Sequence, residues 1–263
     1  MTLMWMSRTY LQDIIVISTL YLAVILSPQA LTRLPPLVLD LLFFAAPALY
    51  LILRRKKNLP KIFLATLLIG LLAAGMDIFL LHNGAWRPYA SSFSFRFFGA
   101  PPEEILWFFL HIFYILVFYE HFIDNERTIP ISRRTKYLAA ISITVFMAAL
   151  FLVSVFGAAS RIHYAYLTVG AITMLPTLLY LLFTRAHFAK KLAPLILYFF
   201  LYALVMEIQA VRFGLWSFTD TQNYVGLITL FGAAFPIEEV FFWMAAGPAV
   251  TIVYYEFFID DTQ

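Results

Sequence analysis

Eight apolar runs, each about 17 to 25 residues long, match the length a helix needs to cross the hydrocarbon core of a bilayer. They fall at about 10–27, 34–53, 61–82, 102–123, 136–158, 163–184, 193–212 and 236–258. None alternates as the strands of a membrane barrel do. The expected fold class is therefore an all-α integral membrane protein with about eight transmembrane helices. Charged residues make up 13% of the 263 and hydrophobic ones 63%, too little polarity to coat a soluble domain. The first run is not followed by the small-residue cleavage site of a signal peptide, so it is expected to stay as the first helix. The chain has no cysteine, which removes disulfides, thiol nucleophiles and thiolate metal sites.

The net charge of +3 comes from basic residues in short segments between apolar runs, a pattern that orients a membrane protein and gives no sign of nucleic-acid binding. With the N-terminus inside, thirteen Lys and Arg fall on the inner side and five (Arg33, Arg87, Arg96, Arg161 and Arg212) on the outer. That asymmetry predicts a multi-pass protein of the cell membrane with both termini cytoplasmic.

The second half resembles the first at an offset of about 127 to 135 residues. Pro47 to Tyr50 falls near Pro176 to Tyr180, Asp77 on Glu207, and Gly84-Ala85-Trp86 on Gly214-Leu215-Trp216. Tyr119-Glu120 and Tyr255-Glu256 then close the matching helices. Four helices return a chain to its starting side, so the expectation is two parallel four-helix repeats related by an axis near the membrane normal. Their bounds are 1–125 and 134–263, with a charged linker at 126–133 that contains Pro130. In each repeat an aromatic-rich connection, 83–101 or 213–235, is too polar to span and reads as an interfacial cap.

Each connection runs into a Pro-x-Glu-Glu tetrad: Pro101-Pro102-Glu103-Glu104 in the first repeat, Pro236-Ile237-Glu238-Glu239 in the second. In the expected topology Asp77, Glu207, Asp40 and the four tetrad acids all fall in the outer third of the membrane. Acids at that depth are costly, and a functional site is the default reading. A carboxyl group walled off from water favours its neutral, proton-donating form, while a neighbour receiving first-turn amide hydrogen bonds stays ionised. One acid and one base per tetrad is expected, with their order open. The tetrad is also a good helix start, and Asp77 and Glu207 are open to ion pairing with Arg212, Arg87 or His82.

One turn beyond the acids stand Trp107 and Phe108 in one helix, Phe241, Phe242 and Trp243 in the other. Such residues pack or face lipid in many membrane helices. Here they are also candidates to wall an apolar substrate site and to steady a cation with their π faces. The histidines His82, His111, His163 and His187 show no metal-ligand spacing, and no metal is expected.

At these residues the chain resembles the membrane-bound lycopene cyclases of the small-subunit type, which occur as heterodimers and as tandem fusions. The matching pattern is an acid on one helix, a Gly-x-Trp turn, then Pro-x-Glu-Glu running into a Phe-rich helix. Asp77, Gly84, Trp86 and Pro101 to Glu104 carry it in the first half; Glu207, Gly214, Trp216 and Pro236 to Glu239 carry it in the second. Two departures are Pro102 at the x position and Glu, not Asp, at 207. The resemblance implies an intramolecular lyase that turns lycopene into β-carotene through γ-carotene by acid-initiated, redox-neutral cyclisation within the membrane. It implies catalytic roles for Glu103, Glu104, Glu238, Glu239, Asp77 and Glu207, with Glu103 and Glu238 leading. Substrate contacts are expected from Trp86, Trp216, Trp107, Phe108, Phe241 and Phe242. No cofactor is expected, and no Gly-x-Gly of a dinucleotide fingerprint occurs. The partners implied are lycopene dissolved in the lipid membrane, other carotenoid-pathway enzymes and no nucleic acid.

Other readings are a cyclase of C50 carotenoids or of ε or γ rings, and a non-enzymatic membrane carrier. An intramembrane protease of the Glu-Glu-x-x-x-Arg type is disfavoured, because the arginine position holds Phe108 or Trp243.

Overall fold

The computed structural model describes residues 8–54, 58–89, 91–124, 162–218 and 220–259, with scattered positions of 136–148. Among these the chain is mostly helical, and seven helices are long and apolar enough to cross a membrane. They are α1 Arg8–Ile25, α3 Pro36–Arg54, α4 Leu59–His82, α5 Pro102–Phe122, α6 Ala165–Thr184, α7 Ala186–Arg212 and α8 Glu239–Ile259. A short helix, α2 Pro28–Arg33, is capped by Ser27, whose side chain accepts from the Ala30 amide at 3.2 Å. The fifth expected run, 136–158, and the linker at 126–133 lie largely or wholly outside the described residues.

Burial ranks these helices by position. In α5 and α8, 56% and 61% of the most apolar stretch is buried, against 22–44% in the other five. The two helices opened by Pro-x-Glu-Glu are thus the central ones, and the rest surround them. Helix α5 lies along α4 and touches α3, while α8 packs on α7, α6 and α5. Leu53, Leu67, Leu71, Leu182, Phe183 and Leu197 point outward from the surrounding helices, each more than half exposed except Leu67 at 50%. Such a belt is stable only against lipid.

Prolines set local departures from α-helix. A π-helical turn, Leu41–Ala45, stands just ahead of Pro47, and a longer one, Glu239–Ala246, just ahead of Pro248. A proline ring collides with the carbonyl four residues back, so the ladder shifts to the next spacing. Accordingly Ala46 N–H reaches Leu41 O and Gly247 N–H reaches Phe242 O.

The two connections contain short strands within the all-α architecture. Strand β1 (Arg87–Pro88) pairs antiparallel with β2 (Trp216–Ser217), placing Arg87 opposite Ser217 at an offset of about 130 residues. Strands β3 (Leu227–Leu230) and β4 (Ala233–Pro236) form a hairpin directly before the second tetrad. Phe231 and Gly232 at its tip have φ of 49° and 85°, and Phe98 and Gly99 repeat this at 48° and 84° ahead of the first tetrad. Two consecutive positive φ values are the signature of the tight turn that suits twisted strands.

Candidate active site

Each site half begins where a helix stops. At the end of α4, Gly84 N–H bonds Leu81 O and Ala85 N–H bonds Leu80 O; at the end of α7, Gly214 and Leu215 bond Val211 O and Ala210 O in the same way. This is a Schellman ending, and it needs the positive φ that Gly84 (81°) and Gly214 (68°) adopt. The reversed chain brings the tryptophan two residues on back against the acid on the preceding helix. Trp216 Nε1 donates to Glu207 Oε1 at 2.8 Å, and Trp86, itself buried, lies against Asp77. The Gly-x-Trp motif is therefore a device for holding an indole under a carboxyl group.

The tetrads supply the other acids and split them. Neighbouring residues on a helix point about 100° apart, so the two members of a Glu-Glu pair meet different surroundings, and only one of each pair reaches the cavity shared by the two halves. Glu104 and Glu239 face a shared cavity, while Glu103 and Glu238 turn into the protein and are each 2% exposed. Ser92 N–H donates to Glu103 Oε1 at 2.5 Å, and Val225 N–H donates to Glu238 Oε1 at 2.6 Å. In both, Oε2 is buried without a protein partner. Glu103 and Glu238 thus tie the connections to the helix starts.

The cavity offers about 150 Å³ to the centre of a water-sized molecule and lies between α4, α5, α6, α7 and α8, with the second connection closing one side. Four carboxyl groups line it, those of Asp77, Glu104, Glu207 and Glu239, each within electrostatic reach of others in the set. The remaining wall is mainly apolar and aromatic, with Trp86, Trp216, Trp107, Phe108, Trp243 and Tyr254 around it. Beyond the carboxyl groups the wall offers water few hydrogen-bond partners, and any positive charge that forms inside meets indole faces and carboxyl groups.

Placement differs from expectation at four residues. Glu103 and Glu238 lie off this cavity for the geometric reason given above. Phe241 points outward, 62% exposed, and Phe242 packs onto Gly170, where a Cβ would meet its ring at 2.4 Å. The π-helical stretch of α8 rotates the phase, and Trp243 takes the inward position.

Among the lining residues that were not anticipated, three stand out. Tyr166 faces Glu239 from the start of α6, and its signal was a tyrosine at the depth of the acids. Phe218 follows Trp216 on the connection. His111 lies two turns below Glu104 with Nε2 buried and unpartnered, its ring 4.8 Å from that of Trp107 and 5.0 Å from that of Phe44. Its solitary spacing carried no signal.

A separate bond set joins the two connections. Asn83 Nδ2 donates to Asn223 Oδ1, and the Asn83 side chain exchanges two 2.9 Å bonds with the backbone of Ile162. Nearby Tyr224, outside the spanning helices, is pushed up to about 12 by burial first, then by Asp220 and Glu238. It is a neutral phenol throughout the physiological range.

Comparison with protein-family models, with curated proteins and with solved structures finds no match to this chain.

Proposed function

We propose that this chain is a carotenoid end-group cyclase, acting within the bilayer on lycopene to give β-carotene through γ-carotene. The observation that carries this reading is the convergence of four carboxyl groups on one aromatic-walled, largely apolar cavity. A proton from one carboxyl adds to the terminal double bond and leaves a tertiary cation. The next double bond attacks that cation, closing a six-membered ring and moving the charge onto the ring. A carboxylate then removes a neighbouring proton, and the ring double bond forms. Protons and electrons balance without an oxidant or a second substrate.

In this reading Glu104 and Glu239 are the acid–base pair, Asp77 and Glu207 hold charge beside them, and Glu103 and Glu238 position the tetrads. Trp107, Trp243, Trp86 and Trp216 steady the cation and keep out the water that would trap it as an alcohol. The cavity suits an end group rather than a whole polyene, so the two ends would be cyclised one after the other with the tail left in lipid.

The finer architecture belongs to the same proposal: two parallel four-helix repeats, 1–125 and 134–263, with both termini cytoplasmic. Support comes from the Arg87–Ser217 pairing, the duplicated Schellman endings and the duplicated Phe-Gly turns.

The test is the pigment profile of lycopene-accumulating bacteria expressing this chain alone. Cyclic isomers of unchanged mass are the expected result, and their absorbance separates β from ε or γ rings. Unaltered lycopene, with the protein inserted in the membrane, would turn attention to a C50 substrate and then to a carrier.

A further inference from the structure

Glu104 is a partition between two spaces. On one side is the cavity described above; on the other is a smaller one of about 30 Å³, walled by Asp40, Glu103 and Glu104 with Trp107, Met206 and Trp216. A buried water needs about 10–15 Å³ of such space and two to four polar partners. The smaller cavity meets both conditions. Glu103 uses Oε1 on the Ser92 amide, while its Oε2 is buried and without a protein partner. Asp40 is 7% exposed and makes no protein hydrogen bond among the described residues, although Glu103 and Glu104 are its electrostatic neighbours. Three carboxyl groups therefore surround room for at least one water, and Glu103 Oε2 and the Asp40 carboxyl have no protein partner among the described residues.

Ser92, whose amide holds the Glu103 carboxyl, is the exposed neighbour of this small cavity. Its Oγ accepts from the Leu37 amide at 3.1 Å, one turn before Asp40. At the matching position the second half carries no acid. Aligning Pro47 with Pro176 puts Val169 opposite Asp40, so nothing acidic backs Glu239 from that side.

We infer that the smaller cavity is a water-mediated proton relay through which Asp40 and Glu103 reload Glu104, making the first tetrad the acid side of the site. The inference rests on the cyclase reading for its purpose. Each turnover leaves Glu104 as a carboxylate and the base protonated. Recovery moves one proton from Asp40 through the water to Glu104, solvent refills Asp40 past Ser92, and the base releases one proton, so the cycle consumes none. Asp40 never touches substrate; it acts through Glu104.

The test needs no substrate. In the purified protein in lipid nanodiscs, the protonated Glu104 carboxyl gives an infrared C=O band, identified by its loss in Glu104→Gln. On transfer to D2O the band should exchange about 10²-fold more slowly, or worse, in Asp40→Asn and in Asp40→Leu, the scale expected when a proton-transfer group is lost. Asp40→Glu should restore the wild-type rate. An unchanged exchange rate in both Asp40→Asn and Asp40→Leu would overturn the relay, as would the absence of a protonated Glu104 band in the wild-type protein. Asp40-dependent exchange in a protein that leaves carotenoids untouched would keep the relay and remove the cyclase. Cyclisation with exchange indifferent to Asp40 would do the reverse.

Discussion

A Glu-Glu pair at a helix start is two residues with two fates. Glu104 and Glu239 meet the cavity, so Glu104→Gln and Glu239→Gln should each lower cyclisation by about 10²-fold or more while the protein still inserts. Glu103→Gln and Glu238→Gln should act more weakly, through the loosened connections, and pigment ratios at matched expression would show the ranking. Gly214 isolates a different cost. Its φ is 68° and a Cβ there would meet nothing within 4 Å, so Gly214→Ala is backbone strain alone, roughly 1–2 kcal/mol. A lower melting temperature in detergent is the expected readout. Duplication singled out these acids and glycines in the sequence. Which member of each pair faces the cavity was not legible there, because adjacent positions are equivalent in sequence and differ only in azimuth.

At the scale of elements, the informative pieces are the connections and the π-helical turns. Tyr224 sits in the second connection, buried and facing Asp220 and Glu238. Its phenol titrates near 10 when unfolded and about 12 when folded, so below 10 both states keep the proton. Between about 10 and 12 the unfolded state alone loses it, and stability falls as pH rises. Thermal scans across that window should show a steeper loss in the wild type than in Tyr224→Phe. Gly170 records how closely α6 approaches α8. Gly170→Ala drives a methyl into the Phe242 ring, an overpacking of about 1–3 kcal/mol, and should shift Trp243 fluorescence as α8 adjusts. The connections were legible as aromatic-rich segments too polar to span, but the β1–β2 pairing was not, since these strands are two residues each and pair across more than a hundred positions.

Across the whole molecule the cavity draws on residues 69–115 and 166–254, so neither half encloses it alone. Separate expression of 1–125 and 134–263 should give no cyclic product from either, and co-expression should restore it. The end of the bundle away from the acids has its own fastening. Asp13 accepts from Tyr50 at 2.8 Å and Arg54 at 2.9 Å, and His121 Nε2 lies 2.9 Å from its second oxygen, joining α1, α3 and α5. Tyr255 bonds Glu120 close by, joining α8 to α5. Asp13→Ala should lower stability by about 2 kcal/mol without altering the product ratio, because the bonds lost are at the far end from the cavity.

Hydrophobic length and period alone determined that the chain is a bundle of membrane helices, since backbone hydrogen bonds in lipid leave few alternatives. Duplication located the acids and tryptophans. Tertiary structure decided what no spacing encodes: the rotation of each helix about its axis. That rotation brought Glu104 and not Glu103 to the larger cavity, put Trp243 inward in place of Phe241, brought Tyr166 and His111 to the wall, and set Asp40 beside both glutamates at a second, smaller cavity. The phase of a helix is set by its neighbours and by prolines such as Pro47 and Pro248 that shift the ladder, and neither influence is local to the residues it reorients.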